Sequence, residues 1–186
     1  MAAHVLVLGG ARSGKTGFAE RLAMRAGERP LYLATAVALD AEMTERVKLH
    51  QQQRQKRFAT LEEPIELPTA LKAAAEAHDV ILVDCLTLWI TNLLGTNRNV
   101  ATAVDELIAA LRGIETTRVI LVSNEVGLGI VPDNALARTF RDLAGAAHQR
   151  LAEICTEVHF VIAGLPMTLK GTSLTETVPE RRPSER

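Results

Sequence analysis

Residues 4–16 read HVLVLGGARSGKT, and this stretch decides the fold. HVLVL (4–8) is a short apolar run rich in β-branched residues that stops at Gly9-Gly10, the pattern of a strand buried on both faces. GGARSGKT (9–16) fits G-x-x-x-x-G-K-[ST], with Gly9, Gly14, Lys15 and Thr16 in the fixed positions. From Thr16 to Ala26 the spacing turns helical, with Phe18, Leu22 and Ala26 on one face, and Gly27 ends it. Strand, glycine loop and helix in this order make a phosphate cradle. The glycines let backbone N–H groups curl around an anion without Cβ clashes, and the helix N-terminus adds partial positive charge. Gly9, Gly10, Ala11, Arg12, Ser13, Gly14, Lys15 and Thr16 are therefore expected to line a nucleotide triphosphate. Lys15 reaches its outer phosphates and the Thr16 hydroxyl binds Mg2+.

Working outward, further apolar runs alternate with helical patterns. Leu31–Ala34, Phe58–Thr60, Val80–Val83, Val119–Ser123 and Val158–Ala163 read as strands. Asp40 to Arg57, Leu67 to Ala77, Thr102 to Ile114 and Asn134 to Ile154 read as helices. Such alternation predicts an α/β fold, a mostly parallel central sheet with helices on both faces and ligands at the carboxyl ends of the strands. Asp84 closes the apolar run Val80–Val83 and is expected to help Thr16 hold Mg2+ from a neighbouring strand. An Asp capping the next helix is the other reading of that residue. Residues 1–170 are expected to form one nucleotide-binding domain. Residues 171–186, polar with Pro179 and Pro183, are expected to be a flexible tail.

Composition narrows the function. The 186 residues hold 21 Lys and Arg against 22 Asp and Glu, and aromatics are 3%. A nucleic-acid binder shows a basic excess or stacking aromatics, so no nucleic-acid partner is expected. Cys85 and Cys155 lack metal or disulfide spacing and read as core residues of a reducing, cytoplasmic compartment. The longest apolar stretch, Val80 to Leu94, is interrupted by Asp84 and Asn92 and is too short to span a bilayer. No N/T-K-x-D segment marks a guanine-reading switch. A small-molecule transferase remains, with a non-catalytic ATP-binding assembly module as the reading from another class.

Arg46–Arg57, RVKLHQQQRQKR, carries five cations and no acid in twelve residues. A solvated helix face is the ordinary reading of such a run, although exposed helices normally mix both signs. His50 lies within it, where neighbouring cations favour the neutral imidazole that acts as a nucleophile. His4, His78, His148 and His159 read as structural. Thr87, Asn92, Asn124 and Glu125 follow strand ends, and Glu125 is a candidate base.

GGARSGKT, LYLATA (31–36), RVKLHQQQR (46–54), LEEP (61–64), ILVDCLTLWITNLL (81–94), NEVGLGIVP (124–132) and ARTFRDLAGAAHQRLA (137–152) occur in that order. Together they resemble the bifunctional adenosylcobinamide kinase/adenosylcobinamide-phosphate guanylyltransferase family of cobalamin biosynthesis, from His4 to about Lys170. His148 stands where the family more often has Asn, and Thr16 where Ser is also common. The resemblance implies a RecA-like P-loop NTPase fold, a homotrimer and two reactions. ATP or GTP phosphorylates adenosylcobinamide, and GTP then passes GMP through a histidine to the phosphorylated corrinoid. The guanylylated histidine falls on His50. Leu33, Ala34, Thr35, Gln51, Gln52, Gln53, Arg54 and Glu62 are implied to line the nucleotide site, with Arg54 neutralising charge. A P-loop kinase of another small metabolite is the runner-up.

Overall fold

The computed structural model of the chain describes residues 2–36 and 57–171. Within them the order is β1 (Val5–Gly9), α1 (Lys15–Ala26), β2 (Pro30–Ala34), β3 (Ala59–Glu62), α2 (Leu67–Ala75), β4 (Val80–Asp84), α3 (Leu86–Gly95), α4 (Val100–Gly113), β5 (Arg118–Asn124), α5 (Ala135–Ile154), β6 (Glu157–Ile162) and β7 (Leu165–Lys170). The helix expected over 40–57 and the tail over 171–186 lie outside these residues, apart from Arg57 and Gly171.

One seven-stranded sheet has the order β3-β2-β4-β5-β1-β6-β7. Every pairing is parallel except β6 with β7. The parallel strands are apolar on both faces, as a doubly covered sheet requires. Val5, Val7, Tyr32, Val80, Leu82, Ile120, Val122 and Val161 pack with Phe18, Ala19 and Ala23 of α1 on one face. Leu6, Leu31, Leu33, Ile81, Val83, Val119 and Leu121 pack on the other face against residues of α2, α3, α4 and α5. Strand alternation thus assigns each residue to a face, and the odd-even parity around Asp84 sets which helix it meets.

Three features depart from the sequence expectations. Asp84 does not sit on a strand next to β1, because β5 lies between β4 and β1. The run after Asp84 folds as helix α3, whose Leu86, Trp89, Ile90 and Leu93 repeat at helical spacing and are buried. The apolar continuity of 80–94 hides the change of period. The chain also reverses after β6 into an edge strand. Ala163 and Gly164, with φ of 52° and 80°, make a two-residue turn in which both central residues lie in the left-handed region. Pro166 is tolerated because β7 is an edge strand.

Asn99 and Asn134 cap α4 and α5 by accepting Thr102 N–H and Ala137 N–H at 3.1 Å each. Trp89 is buried, and its indole N–H donates to Ile65 O at 2.9 Å, pinning α3 over the start of α2.

Candidate active site

The loop 9–16 leaves the carboxyl end of β1 and enters α1 at Lys15. Gly14, the residue before the helix, has φ 90°, a conformation that side chains resist, and a Cβ there would stand 3.0 Å from Gly164 Cα. Arg12 also has positive φ, at 55°. The loop has no spare room at its start either. A Cβ on Gly9 would lie 2.5 Å from Ser13 Oγ and 2.7 Å from Val161 O. The β6–β7 turn buttresses the far side, with Gly164 N–H donating to Ser13 O at 2.7 Å.

Two features of this loop fit a bound polyphosphate. Ser13 Oγ is buried and has no hydrogen-bond partner among the described residues, a costly state for a hydroxyl that a ligand oxygen relieves. Lys15 is also buried, and its ammonium folds over the loop to donate to Gly10 O at 3.2 Å. A cation whose hydrogen-bond partner here is a neutral carbonyl, on a loop of backbone N–H groups, is placed for an anion.

Asp84 and Thr16 meet across the interposed strand. Thr16 Oγ1 donates to Asp84 Oδ2 at 3.1 Å, and Tyr32 OH donates to the same oxygen at 2.6 Å. The register explains both bonds. Tyr32 pairs with Leu82 and Ala34 with Asp84, so Tyr32 and Asp84 are diagonal neighbours on the face that α1 covers. Sequence reasoning missed Tyr32; its signal was the one tyrosine of the chain, placed in a strand with the parity of Asp84. Among the described residues no three His, Cys, Asp or Glu side chains gather to hold a metal alone. A carboxylate and a hydroxyl fit Mg2+ that takes its other ligands from phosphates and water.

The remaining expected residues divide. Ala34 lies beside Asp84 in the register and pairs with Glu62 on its other side, so Glu62, Ala34 and Asp84 form one row at the strand ends. Leu33 faces the opposite side, with its side chain wholly in the core. Thr35 is a stitch between strands: its hydroxyl donates to Cys85 O at 2.7 Å and accepts Cys85 N–H at 2.9 Å. Asn92 donates to Thr35 O at 2.8 Å and Pro64 O at 3.1 Å. Thr87 accepts Asn124 N–H at 2.7 Å and lies 3.2 Å from Ser123 Oγ. His50, Gln51, Gln52, Gln53 and Arg54 lie outside the described residues.

Glu125 follows β5, and its N–H donates to Gly9 O at 3.0 Å, which ties it to the root of the phosphate loop. Its carboxylate accepts Gly127 N–H at 2.7 Å and Leu128 N–H at 3.2 Å. His148 is buried on α5, with Nε2 2.7 Å from Ser123 Oγ. Burial lowers its pKa, against the opposing charge of Glu125.

Two solved structures share the fold at low identity. A KaiC-like protein of Pyrococcus horikoshii matches with a TM-score of 0.52 at 13% identity, over 85% of this chain and 70% of that one. An ATPase of a bacterial type III secretion system matches with a TM-score of 0.55 at 11% identity, over 89% and 56%. The fold is that of a RecA-like P-loop NTPase. Sequence similarity is far closer elsewhere. The bifunctional adenosylcobalamin biosynthesis protein CobP of Pseudomonas aeruginosa is 49% identical over 91% of this chain and 98% of its own length. The corresponding protein CobU of Salmonella typhimurium is 41% identical over 89% and 99%. The family described as cobinamide kinase / cobinamide phosphate guanyltransferase matches residues 5–169. This chain belongs to that family of bifunctional enzymes.

Proposed function

We propose that the protein phosphorylates adenosylcobinamide with ATP or GTP and then transfers GMP from GTP to the product, giving adenosyl-GDP-cobinamide. The observation that carries the reading is the convergence of Thr16 and Tyr32 on Asp84 beside the buried Lys15, in a chain of this family. Phosphoryl transfer depends mainly on positioning and charge neutralisation, and these groups supply both. Residues Gly9–Thr16 hold the triphosphate through loop N–H groups, the Lys15 ammonium and the Ser13 hydroxyl. Thr16 and Asp84 would hold Mg2+, which neutralises phosphate charge when bound.

In the kinase step the acceptor hydroxyl loses its proton to Glu125 and its oxygen bonds to the γ-phosphorus, as the bond to the β-phosphate oxygen breaks. Glu125 already accepts two backbone N–H bonds, and a carboxylate retains lone pairs for a third donor. In the transferase step an imidazole nitrogen of His50 bonds to the α-phosphorus of GTP and pyrophosphate leaves. The phosphate oxygen of the phosphorylated corrinoid then takes the GMP and frees His50. Arg54 neutralises charge at that centre, and Gln51, Gln52, Gln53, Ala34 and Glu62 complete the nucleotide surround, while Thr35, wholly buried, holds the strand ends beneath it. The family resemblance supports a homotrimer. Two buried, unbridged cysteines are compatible with a cytoplasmic setting.

Incubation with Mg2+ and α-labelled GTP tests the covalent step. Label that survives denaturation, is lost in acid, and is absent from His50→Ala supports the guanylyl-histidine. A wild-type protein that binds GTP but retains no label refutes the histidine route and leaves a kinase.

A further inference from the structure

The loop after β5 presents side chains of an unusual kind to water. Residues 126–132 read VGLGIVP, without one polar side chain. Leu128 is 81% exposed, Ile130 98% and Val131 59%, and Leu136 at the start of α5 is exposed as well. Five of the ten exposed large hydrophobic residues among those described fall in 126–136. Contiguous apolar surface of this kind marks a binding site rather than ordinary surface scatter.

The loop is not a loose excursion. Glu125 holds the N–H groups of Gly127 and Leu128 at one end. Arg138 Nη1 donates to Pro132 O at 2.9 Å and Asp133 O at 2.7 Å at the other. Its backbone is clamped inward while Leu128, Ile130 and Val131 stand outward. Its root is the phosphate loop, through Glu125 N–H and Gly9 O. Alongside runs a hollow of about 480 Å3 lined by Leu94, Leu136, Ala137 and Phe140 together with the polar Thr91 and Asn134, within the range of roughly 300–1,000 Å3 for small-molecule sites. Asn92, on the same helix as Leu94, reaches Thr35 O and Pro64 O just past the ends of β2 and before α2. Leu136 and Ala137, in the first turn of the helix that follows the carboxyl end of β5, set the hollow at the carboxyl end of the sheet, where the nucleotide site lies.

Resting on the function proposed above, we propose that the 126–131 loop, with Leu136 and the adjoining hollow, is the docking surface for the corrin ring of the acceptor. The acceptor hydroxyl sits on a short arm and must reach the outer phosphate. Its macrocycle then lies within an arm's length of the phosphate loop, where this surface begins. A corrin offers apolar ring faces and a methyl-bearing rim for burial, and its peripheral amides remain in water. The surface supplies apolar contact and no charge, which matches that chemistry.

The double variant Leu128→Ser/Ile130→Ser tests this, because both side chains are exposed and their loss leaves the core intact. Thermal unfolding confirms the fold, and sedimentation gives the particle mass. With purified cobinamide as acceptor, the expected result is a KM for the corrinoid raised roughly tenfold or more. The KM for nucleotide should stay within about twofold and the mass should be unchanged. An unchanged corrinoid KM, with wild type turning over, overturns the proposal. So does a fall in mass with the corrinoid KM recovering at high protein concentration, which makes the loop a subunit contact. Absence of cobinamide kinase activity in the wild type would instead overturn the functional reading, and the docking surface with it.

Discussion

Thr16 and Asp84 stand 68 positions apart in the chain, yet Thr16 Oγ1 donates to Asp84 Oδ2 at 3.1 Å across an intervening strand. Helix α1 bridges that strand: it starts beyond β1 and packs over the face that carries Asp84. The contact therefore depends on the docking of α1 as much as on either residue.

Tyr32 shares Asp84 Oδ2 with Thr16 and holds the carboxylate from the strand below. Asp84→Asn should reduce the rate of phosphoryl transfer by roughly 10²–10³-fold. Tyr32→Phe removes one bond to a charged group and should cost roughly tenfold or more in kcat with the fold preserved. Steady-state kinetics across a Mg2+ titration check both, and an unaltered kcat in Tyr32→Phe would remove the phenol from the site.

Ser13→Ala should act in opposite directions on stability and on binding. Its hydroxyl is buried without a hydrogen-bond partner among the described residues, so its loss should leave the free protein as stable or stabilise it by about 1 kcal/mol. The nucleotide dissociation constant should rise roughly fivefold or more if a phosphate oxygen fills that vacancy in hydrogen bonding. Calorimetry of nucleotide binding and thermal unfolding of the free protein read the two effects. Unchanged affinity would assign Ser13 to loop packing alone.

Stability should fall as pH drops below about 6.5, the ordinary histidine value. His4 is buried and its pKa is lowered chiefly by that burial. Its Nδ1 accepts Val119 N–H at 3.2 Å and its Nε2–H donates to Leu111 O at 2.8 Å, so the ring is neutral in the folded chain. Below the unfolded value the unfolded chain takes up a proton that the folded chain refuses, which favours unfolding. His148 contributes in the same direction. Urea midpoints followed by Trp89 fluorescence at pH 7.5, 6.5 and 5.5 should decline in that order. A midpoint that rises on acidification would contradict the buried neutral rings.

Gly27→Ala should destabilise the fold by roughly 1–3 kcal/mol through overcrowding. A Cβ at Gly27 would lie 2.5 Å from Asp79 Oδ1 and 2.6 Å from Val80 Cγ2. Asp79 needs that position, because its carboxylate accepts Glu28 N–H at 2.9 Å and Arg29 N–H at 3.0 Å. The site lies at the opposite end of the sheet, so activity per folded molecule should not change. Denaturant titration together with an active-site count separates the two, and an unshifted midpoint would show that the turn relaxes at no cost.

The phosphate loop and the parallel strands were legible in the sequence, because each is written in a few adjacent residues. Glycine spacing and apolar runs act over short range. The family was legible too, through seven ordered motifs. The tertiary structure alone decided what those pieces meet. It inserted β5 between β1 and β4, set Tyr32 diagonal to Asp84, and turned Thr35 and Asn92 into stitches between elements. It also folded residues 165–170 back as an edge strand and clamped Glu125 to its own loop. Strand order and face parity emerge only when every helix has found a sheet face to cover, since burial is shared by residues far apart in the chain.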